Sequence, residues 1–370
     1  MFKNYRLRDY DFKLILMILA LSGIGIITIG SAEPSLQTKQ FLGVIAGAVI
    51  MIGLSFFNYS MLLKLNWLMY IGNLVLLILV IAVGKKGGGA QRWLKIGGLQ
   101  FQPSETAKIV LILFFAQFIM KYREKLNTFK IISACLVLVL IPWVLIFKQP
   151  DLSTSIMFIM IFAVIMFTGG ISYRVIIGAF AVLIPAVAII ISLALQPDND
   201  ILNEYQKKRI LAFTNPQEYA MEEAYQQLNS VTAIASGQLD GKGYKNNEIT
   251  SVKNGNFISE AQTDFIFAVI GEEFGFKGSV LVIALIFMIS LECISIARRA
   301  KDLAGTIIAA GMGGLIAIQG FFNIGVATFI LPNTGLPMPF VSYGLTSVMS
   351  LYIGMGFVLN VRLQARRNNY

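Results

Sequence analysis

Ten apolar runs, each close to the length that crosses a lipid bilayer, divide this chain of 370 residues. A transmembrane helix needs about 20 mostly apolar residues, and backbone polar groups inside a membrane must be satisfied within the protein. The runs are Leu14–Gly30, Phe41–Phe57, Leu62–Val83, Ser104–Met120, Ile131–Phe147, Leu152–Thr168, Val175–Leu195, Gly278–Ala297, Leu303–Phe322 and Phe340–Val361. The pattern predicts an all-α integral membrane protein, a single polytopic domain over residues 1–370 with about ten transmembrane helices.

Residue usage excludes several classes of function. Charged residues make up 14% of the chain, against about 25% in soluble domains. The sequence has no histidine and two cysteines, which rules out histidine-based acid–base chemistry, histidine-ligated metals and a disulfide framework. In a membrane chain, the formal net charge of +10 is explained first by basic cytoplasmic loops, so no nucleic-acid partner is expected.

Basic residues are distributed unevenly between the two sides of the predicted bundle. An even number of spans places both termini on one side, and the segments on that side hold 16 of the 30 Lys and Arg residues. The short loops on the other side hold six. The positive-inside rule therefore predicts a multi-pass protein of the cytoplasmic membrane, with both termini cytoplasmic and membrane lipids around it.

Two segments on the predicted outer side differ from short, neutral loops. The loop Gly84–Phe101 carries four of the six cations, among them Arg92 and Lys95, which suits either anion binding from the outer leaflet or contact with lipid headgroups. Residues 196–263 form a large extracytoplasmic loop between the seventh and eighth spans, and loops of that length are usually functional. Within it, Arg209 belongs to a solvated charge run or clamps a phosphate.

A few ionisable residues lie at the predicted ends of spans, where burial of charge is expensive and usually functional. Asp264 follows the long loop as the chain re-enters an apolar stretch, so it is either a helix cap or an acid placed to accept a proton. Pro103 indicates a helix start, and Glu105 and Lys108 then share one helix face. This predicts an ion pair that either braces the helix or binds substrate.

Other acidic residues have simpler interpretations. Glu272 and Glu273 are expected on an interfacial turn near the lipid headgroups, paired with Lys277. Asp151 precedes an apolar run that starts at Leu152, so it is predicted to cap that helix.

The stretch Asn323–Gly344 contains three prolines and three glycines between the last two spans and almost no charge. Non-helical backbone at membrane depth is tolerated only where it is buried in protein or lines a cavity. The stretch is therefore predicted to be buried, and its amides with Thr334, Ser342 and Tyr343 would suit an anionic or sugar ligand.

Taken together and in this order, the motifs resemble the family of shape, elongation, division and sporulation proteins, the SEDS glycosyltransferases. The matching motifs are Gln91-Arg92-Trp93, Gln102-Pro103-Ser104-Glu105 with Lys108, Lys148-Gln149-Pro150-Asp151-Leu152, Gly241-Lys242-Gly243, Thr263-Asp264-Phe265-Ile266-Phe267-Ala268 with Glu272-Glu273-Phe274-Gly275, Leu331-Pro332-Asn333-Thr334-Gly335-Leu336-Pro337 and Pro339-Phe340-Val341-Ser342-Tyr343-Gly344. The short tails and Gly241–Thr263 are more similar to the elongation-type members, of which RodA is one, than to the division-type members. Gln262 stands where the family typically has histidine, so a mechanism that uses that imidazole would not apply.

The resemblance implies polymerisation of lipid II into peptidoglycan strands outside the cytoplasmic membrane, during cell elongation and shape maintenance. It also implies Asp264 as the essential acid and a class B penicillin-binding protein, a transpeptidase, as partner beside lipid II and the lipid-linked glycan. The expected substrate-binding residues are Arg92, Trp93, Lys95, Glu105, Lys108, Arg209, Thr334 and Ser342. No cofactor is specified, and a divalent cation, Mg²⁺ or Mn²⁺, is left open as an aid to the pyrophosphate because no ligand cluster fixes one.

Inverting glycosyl transfer needs one base and stabilisation of the departing pyrophosphate. Asp264 would deprotonate the acceptor 4-hydroxyl, while cations hold the pyrophosphate. A flippase or transporter of lipid-linked precursors is the competing class, although it would need mid-membrane sites reached from both faces. A scaffold that only positions the transpeptidase would make Asp264 dispensable, and a division-type polymerase is the alternative within the family.

Overall fold

The computed structural model describes residues 10–87, 90–96, 99–178, 181, 185, 192, 204–221, 224–245, 257–258 and 260–365. Within these ranges, nine helices are long and apolar enough to cross a membrane. The predicted all-α membrane fold is confirmed. The predicted seventh span, Val175–Leu195, lies mainly outside the described residues, and residues 175–178, 181, 185 and 192 of it are helical.

The helices are numbered here in chain order. The spanning helices are α1 (Phe12–Ala32), α2 (Pro34–Ser55), α3 (Tyr59–Val83), α4 (Pro103–Lys121), α5 (Phe129–Phe147), α6 (Leu152–Gly169), α9 (Ile266–Arg298), α10 (Leu303–Ala327) and α11 (Leu345–Leu363). Two shorter helices, α7 (Glu204–Thr214) and α8 (Tyr225–Ser236), belong to the long segment that separates α6 from α9.

Local chemistry sets several helix boundaries. Pro34 occupies the first turn of α2, where its missing N–H is not needed, and the helix therefore starts well before the predicted Phe41. Asp151 accepts a hydrogen bond from the Thr154 amide at 3.2 Å, which confirms the predicted cap of α6. The last span begins at Leu345 rather than Phe340, because the residues before it remain non-helical.

The loop Gly84–Phe101 is folded, which the sequence did not indicate. It forms an antiparallel sheet of three strands, β1 (Lys85–Gly87), β2 (Ala90–Ile96) and β3 (Leu99–Phe101). Leu94 of β2 lies opposite Phe101. The Gln91 side-chain amide donates to the Val80 carbonyl at 3.1 Å, and this bond ties the sheet to the end of α3.

The bundle has two ends with different character. The loop end carries the sheet, the turn before α6 and the non-helical residues 328–344 between α10 and α11. The tail end carries the first and last described residues, and there Tyr59 donates its hydroxyl to Asp302 at 2.8 Å and its amide to the Asn360 side chain at 2.9 Å. In the core between the ends, α10 packs along α9 and α11 along α2.

Candidate active site

Asp264 lies at the loop end, on the short segment that leads into α9. The helix begins at Ile266 with Phe265 in the cap position, so Asp264 precedes the cap by one residue. Its backbone carbonyl accepts a hydrogen bond from the Asn323 side chain at 2.8 Å, while Asp264 itself is half-buried and Phe265 is fully buried. The carboxylate therefore sits at the rim of the bundle on an anchored backbone.

The 328–344 segment covers this rim and is fastened to the residues before Asp264. The buried Ser342 hydroxyl donates to the Thr263 carbonyl at 2.5 Å and accepts from the Met338 amide at 2.7 Å. The Tyr343 amide donates to the Gln262 carbonyl at 2.9 Å. The predicted burial is confirmed for residues 338–342, whereas Ile330 is 64% exposed. The contacts also engage amides that the sequence had left available for a ligand.

Two amide side chains of α10 connect the parts of the site, and sequence reasoning missed both. Asn323 donates to the Leu336 carbonyl at 2.7 Å, and Gln319 donates to the Pro337 carbonyl at 2.8 Å. The two residues are four apart and share one helix face, directed at the 328–344 segment. Two amide side chains four residues apart, in or beside an apolar run, are the sequence signal that could have identified them.

The predicted pairing of Glu105 and Lys108 is confirmed. The Lys108 ammonium donates to the Glu105 carboxylate at 2.7 Å and to the Gln319 side chain at 3.2 Å. Lys108 is 1% exposed and Glu105 is 3% exposed, so protein encloses both charges. The pair supports the 328–344 segment through Gln319, which contacts Lys108 and donates to the Pro337 carbonyl. Direct contact of Lys108 with substrate stays a prediction.

The basic residues of the sheet occupy different environments. Arg92 donates to the Pro150 carbonyl, and its guanidinium lies 3.8 Å from the Asp151 carboxylate, so it joins the sheet to the turn before α6. Trp93 is half-buried and Lys95 is exposed. Among these three, Lys95 has the side chain that reaches solvent most freely. Their roles as substrate-binding residues stay predictions.

Thr334 lies within the 328–344 segment, where its carbonyl accepts a hydrogen bond from the Ser153 hydroxyl. Its own hydroxyl is buried and finds no partner among the described residues. Buried polar groups are normally paired, so this hydroxyl and the Asn323 side-chain oxygen, which is also buried and unpaired among the described residues, are candidates to bind a ligand. Arg209 belongs to α7, and its side chain lies outside the described part of the chain.

The expected pairing of Glu272 and Glu273 with Lys277 is wrong. Glu272 pairs with Lys242 at 3.1 Å, Glu273 accepts a hydrogen bond from the Ser31 hydroxyl, and Lys277 pairs with Asp240. Both glutamates are 4% exposed, so they are buried and not interfacial. The cause is a break in α9 after these residues, which places Lys277 on a different part of the surface.

That break occurs at Gly275, whose φ of 61° and ψ of −157° are open to glycine alone. Gly241, also at positive φ, packs against the same turn, where an added Cβ would lie 2.2 Å from the Glu273 carbonyl. The Gly241-Lys242-Gly243 motif therefore fastens the long segment to α9 about two turns beyond Asp264, where the Lys242 and Gly243 amides donate to the Glu272 and Glu273 carbonyls.

Tyr343, which follows Ser342 in the 328–344 segment, has a phenol that can donate a hydrogen bond. Burial raises the pKa of the Tyr343 phenol, which therefore stays protonated and able to donate at neutral pH.

Among the residues described, no group of three or more Asp, Glu or Cys side chains is placed to hold a metal ion. The fold and site thus define a multi-pass membrane protein with a carboxylate and cations at one rim of its helix bundle.

Comparison with known proteins assigns the chain to a protein family. The sequence model of the FtsW, RodA and SpoVE family, described as "Cell cycle protein", matches residues 11–367. The chain is 34% identical over 355 residues to the peptidoglycan glycosyltransferase MrdB of Escherichia coli K12, covering 95% of this chain and 93% of that protein. It is 32% identical over 367 residues to a probable peptidoglycan glycosyltransferase FtsW of Geobacter metallireducens, covering 95% and 94%. The chain belongs to this family.

Solved structures agree with the assignment. One belongs to a study titled "Structural coordination of polymerization and crosslinking by a peptidoglycan synthase complex", with a TM-score of 0.78 at 27% identity over 95% of this chain and 97% of that one. The rod shape determining protein RodA of Thermus thermophilus has a TM-score of 0.71 at 25% identity, covering 97% and 98%. The resemblance drawn from the motifs is therefore confirmed.

Proposed function

We propose that this protein is a peptidoglycan glycosyltransferase that polymerises lipid II into glycan strands, with Asp264 as the general base. The names of the relatives in Escherichia coli and Geobacter metallireducens support the activity. The observation that carries the catalytic assignment is the placement of Asp264, a half-exposed acid on backbone anchored by Asn323 and, through Thr263, by Ser342.

In the proposed reaction, the 4-hydroxyl of the acceptor sugar attacks the anomeric carbon of the donor. The new glycosidic bond forms as the bond to the lipid pyrophosphate breaks, with inversion at that carbon, and Asp264 takes the hydroxyl proton. General-base assistance of this kind contributes about 10²–10⁴-fold. Pyrophosphate leaves with its charge, so fixed cations replace the acid that a glycosidase would need.

The cations proposed for the pyrophosphate differ in what they can reach. Lys95 is exposed and Arg92 is held beside the turn before α6, so both are placed for a ligand that arrives at the loop end. Lys108 is enclosed, and its charge acts on the site from a fixed position through Gln319. Arg209, Trp93, Glu105, Thr334 and Ser342 complete the proposed set.

Participation of Mg²⁺ or Mn²⁺ is also a proposal. Mg²⁺ keeps several waters and is commonly held largely by substrate phosphates, so the pyrophosphate itself would carry the ion and Asp264 would stay free to act as the base. The ion would neutralise pyrophosphate charge. Polymerisation measured in EDTA and after addition of each metal tests this, and equal rates in EDTA would contradict it.

We place the loop end on the extracytoplasmic side and both termini in the cytoplasm, on the strength of the basic residues at the tail end. A class B penicillin-binding transpeptidase is the proposed partner. Its support is the likeness to a chain from a peptidoglycan synthase complex in which polymerization and crosslinking are coordinated.

The decisive experiment gives labelled lipid II to purified protein, with and without the transpeptidase, and resolves the glycan chains on a gel. Asp264→Asn and Asp264→Ala should each reduce polymer formation by about 10²-fold or more, because the base is lost while the fold is kept. Asp240→Asn is the matched control, since Asp240 is an exposed acid of the adjoining segment, paired with Lys277. Near-normal polymer from either Asp264 variant would refute the general base.

We assign the polymerase to elongation rather than division, on the likeness to a rod shape determining protein. Expression in cells depleted of either their elongation-type or their division-type family member tests this. Recovery of rod shape, without relief of filamentation, is expected. Relief of filamentation alone would assign the protein to division.

A further inference from the structure

A groove of about 630 Å³ opens at the tail end of the bundle, far from Asp264. It lies where α3, α4 and α5 meet, and its lining changes from polar to apolar along its length. Lys125, Thr128 and Lys130 form a polar mouth. Trp67, Ala134 and Leu138 form an apolar interior.

The arrangement follows from the geometry of α5. Lys130, Ala134 and Leu138 are spaced by four residues, so they lie on one face of the helix, one turn below another. That face therefore passes from an ammonium group at the helix start to bare hydrocarbon within two turns. Trp67 is 48% exposed and closes the apolar side from α3, as aromatic side chains at the membrane–water boundary commonly do.

The floor of the groove is preformed. Tyr122 packs against Phe118 with ring centroids 4.9 Å apart, and both residues line the groove. The Tyr70 hydroxyl donates to the Leu138 carbonyl at 2.7 Å and holds α3 against α5. A ligand would therefore enter an existing site and would not have to separate packed helices.

We propose that this groove binds one anionic phospholipid of the membrane, with the phosphate at the mouth and an acyl chain in the interior. The two lysines supply positive charge, and among the described residues the lining contains no acid. The N-terminus of α5, a helix of 19 residues, points its free amides at the same mouth. The apolar interior explains why a lipid fits better than a soluble phosphate.

The test measures lipid retention by native mass spectrometry on the full-length protein in detergent. Phosphatidylglycerol and phosphatidylcholine with identical acyl chains are the probes. A basic residue near an anionic surface contributes about fivefold to binding. Wild-type protein should therefore retain phosphatidylglycerol about twentyfold better than phosphatidylcholine, and Lys125→Gln with Lys130→Gln should remove that preference.

The matched control is Arg298→Gln with Arg299→Gln, which removes two exposed charges at the same end of the bundle but outside the groove. This control should keep the preference. Ala134→Trp fills the apolar interior and should reduce retention of both lipids at an unchanged unfolding midpoint. Equal retention of the two lipids by wild-type protein, an equal loss in the arginine control, or full retention by Ala134→Trp would overturn the proposal.

Discussion

At the scale of single residues, Lys108 shows how a charge is tolerated inside this bundle. Its ammonium is 1% exposed and is neutralised by Glu105 at 2.7 Å. Desolvation of the two charges cancels much of the Coulombic attraction, so such a pair adds little to the net free energy of unfolding. Removal of one partner is costly, because it leaves the other charge buried and uncompensated. With Gln319 as a third member, the pair also fixes where the 328–344 segment crosses α10.

We therefore expect Lys108→Met to destabilise the protein by about 3–5 kcal/mol, because Glu105 is left buried without its cation. Replacement of both partners, Glu105→Gln with Lys108→Met, should restore most of that loss. Lys121→Met, at the exposed end of the same helix, should change stability by less than about 0.5 kcal/mol. Denaturation in detergent mixtures measures all three, and a double variant as unstable as Lys108→Met would contradict the argument.

At the scale of elements, α9 is the helix on which the site depends most. The sequence places its apolar run at Gly278–Ala297, yet the helix starts at Ile266. Glu272 and Glu273 interrupt the hydrophobic pattern, and Lys242 and Ser31 are among the partners that make their burial acceptable. Those partners are distant in sequence, so no local window reveals them.

The close approach of Gly241 to α9 leads to a second prediction. Gly241→Ala should destabilise this junction by more than the roughly 1–2 kcal/mol of a left-handed alanine, because its Cβ would also overlap the Glu273 carbonyl. Gly243→Ala is the control, since Gly243 has a φ of 94° but open space around it. Unfolding midpoints compare the two. Equal losses would show that backbone strain, not the close approach, is what matters.

The elements also show what the sequence could and could not predict. Hydropathy found every described spanning helix, because lipid demands long apolar runs whatever their packing. It missed the start of α2 at Pro34, where the first turn is polar, and it missed the three-stranded sheet, whose strands are short and carry four cations. The position of Asp264 at the edge of an apolar run left it open between a cap and a base, and its role as the essential acid was implied by the family resemblance; the structure places Phe265, not Asp264, in the cap position.

At the scale of the whole molecule, the two ends of the bundle have separate chemistry. The loop end gathers Asp264, the sheet and the buried amide contacts of α10. The tail end gathers exposed cations and the groove between α3, α4 and α5. The proposed polymerase would draw its substrate from the outer leaflet and needs the first end outside, and the positive-inside rule predicts that the second end lies inside. Both requirements are met by one orientation.

That orientation can be measured with thiol labelling, because Cys135 and Cys293 are both 0% exposed. In a background with both cysteines replaced by alanine, we introduce Lys148→Cys at the loop end and Arg299→Cys at the tail end, two exposed positions. A membrane-impermeant maleimide should label Lys148→Cys in intact cells and Arg299→Cys only after lysis. The reverse pattern would place Asp264 in the cytoplasm, away from any glycan strand, and the proposed reaction would lose its substrate. Since the charge bias and the catalytic assignment are independent, agreement between them would strengthen both.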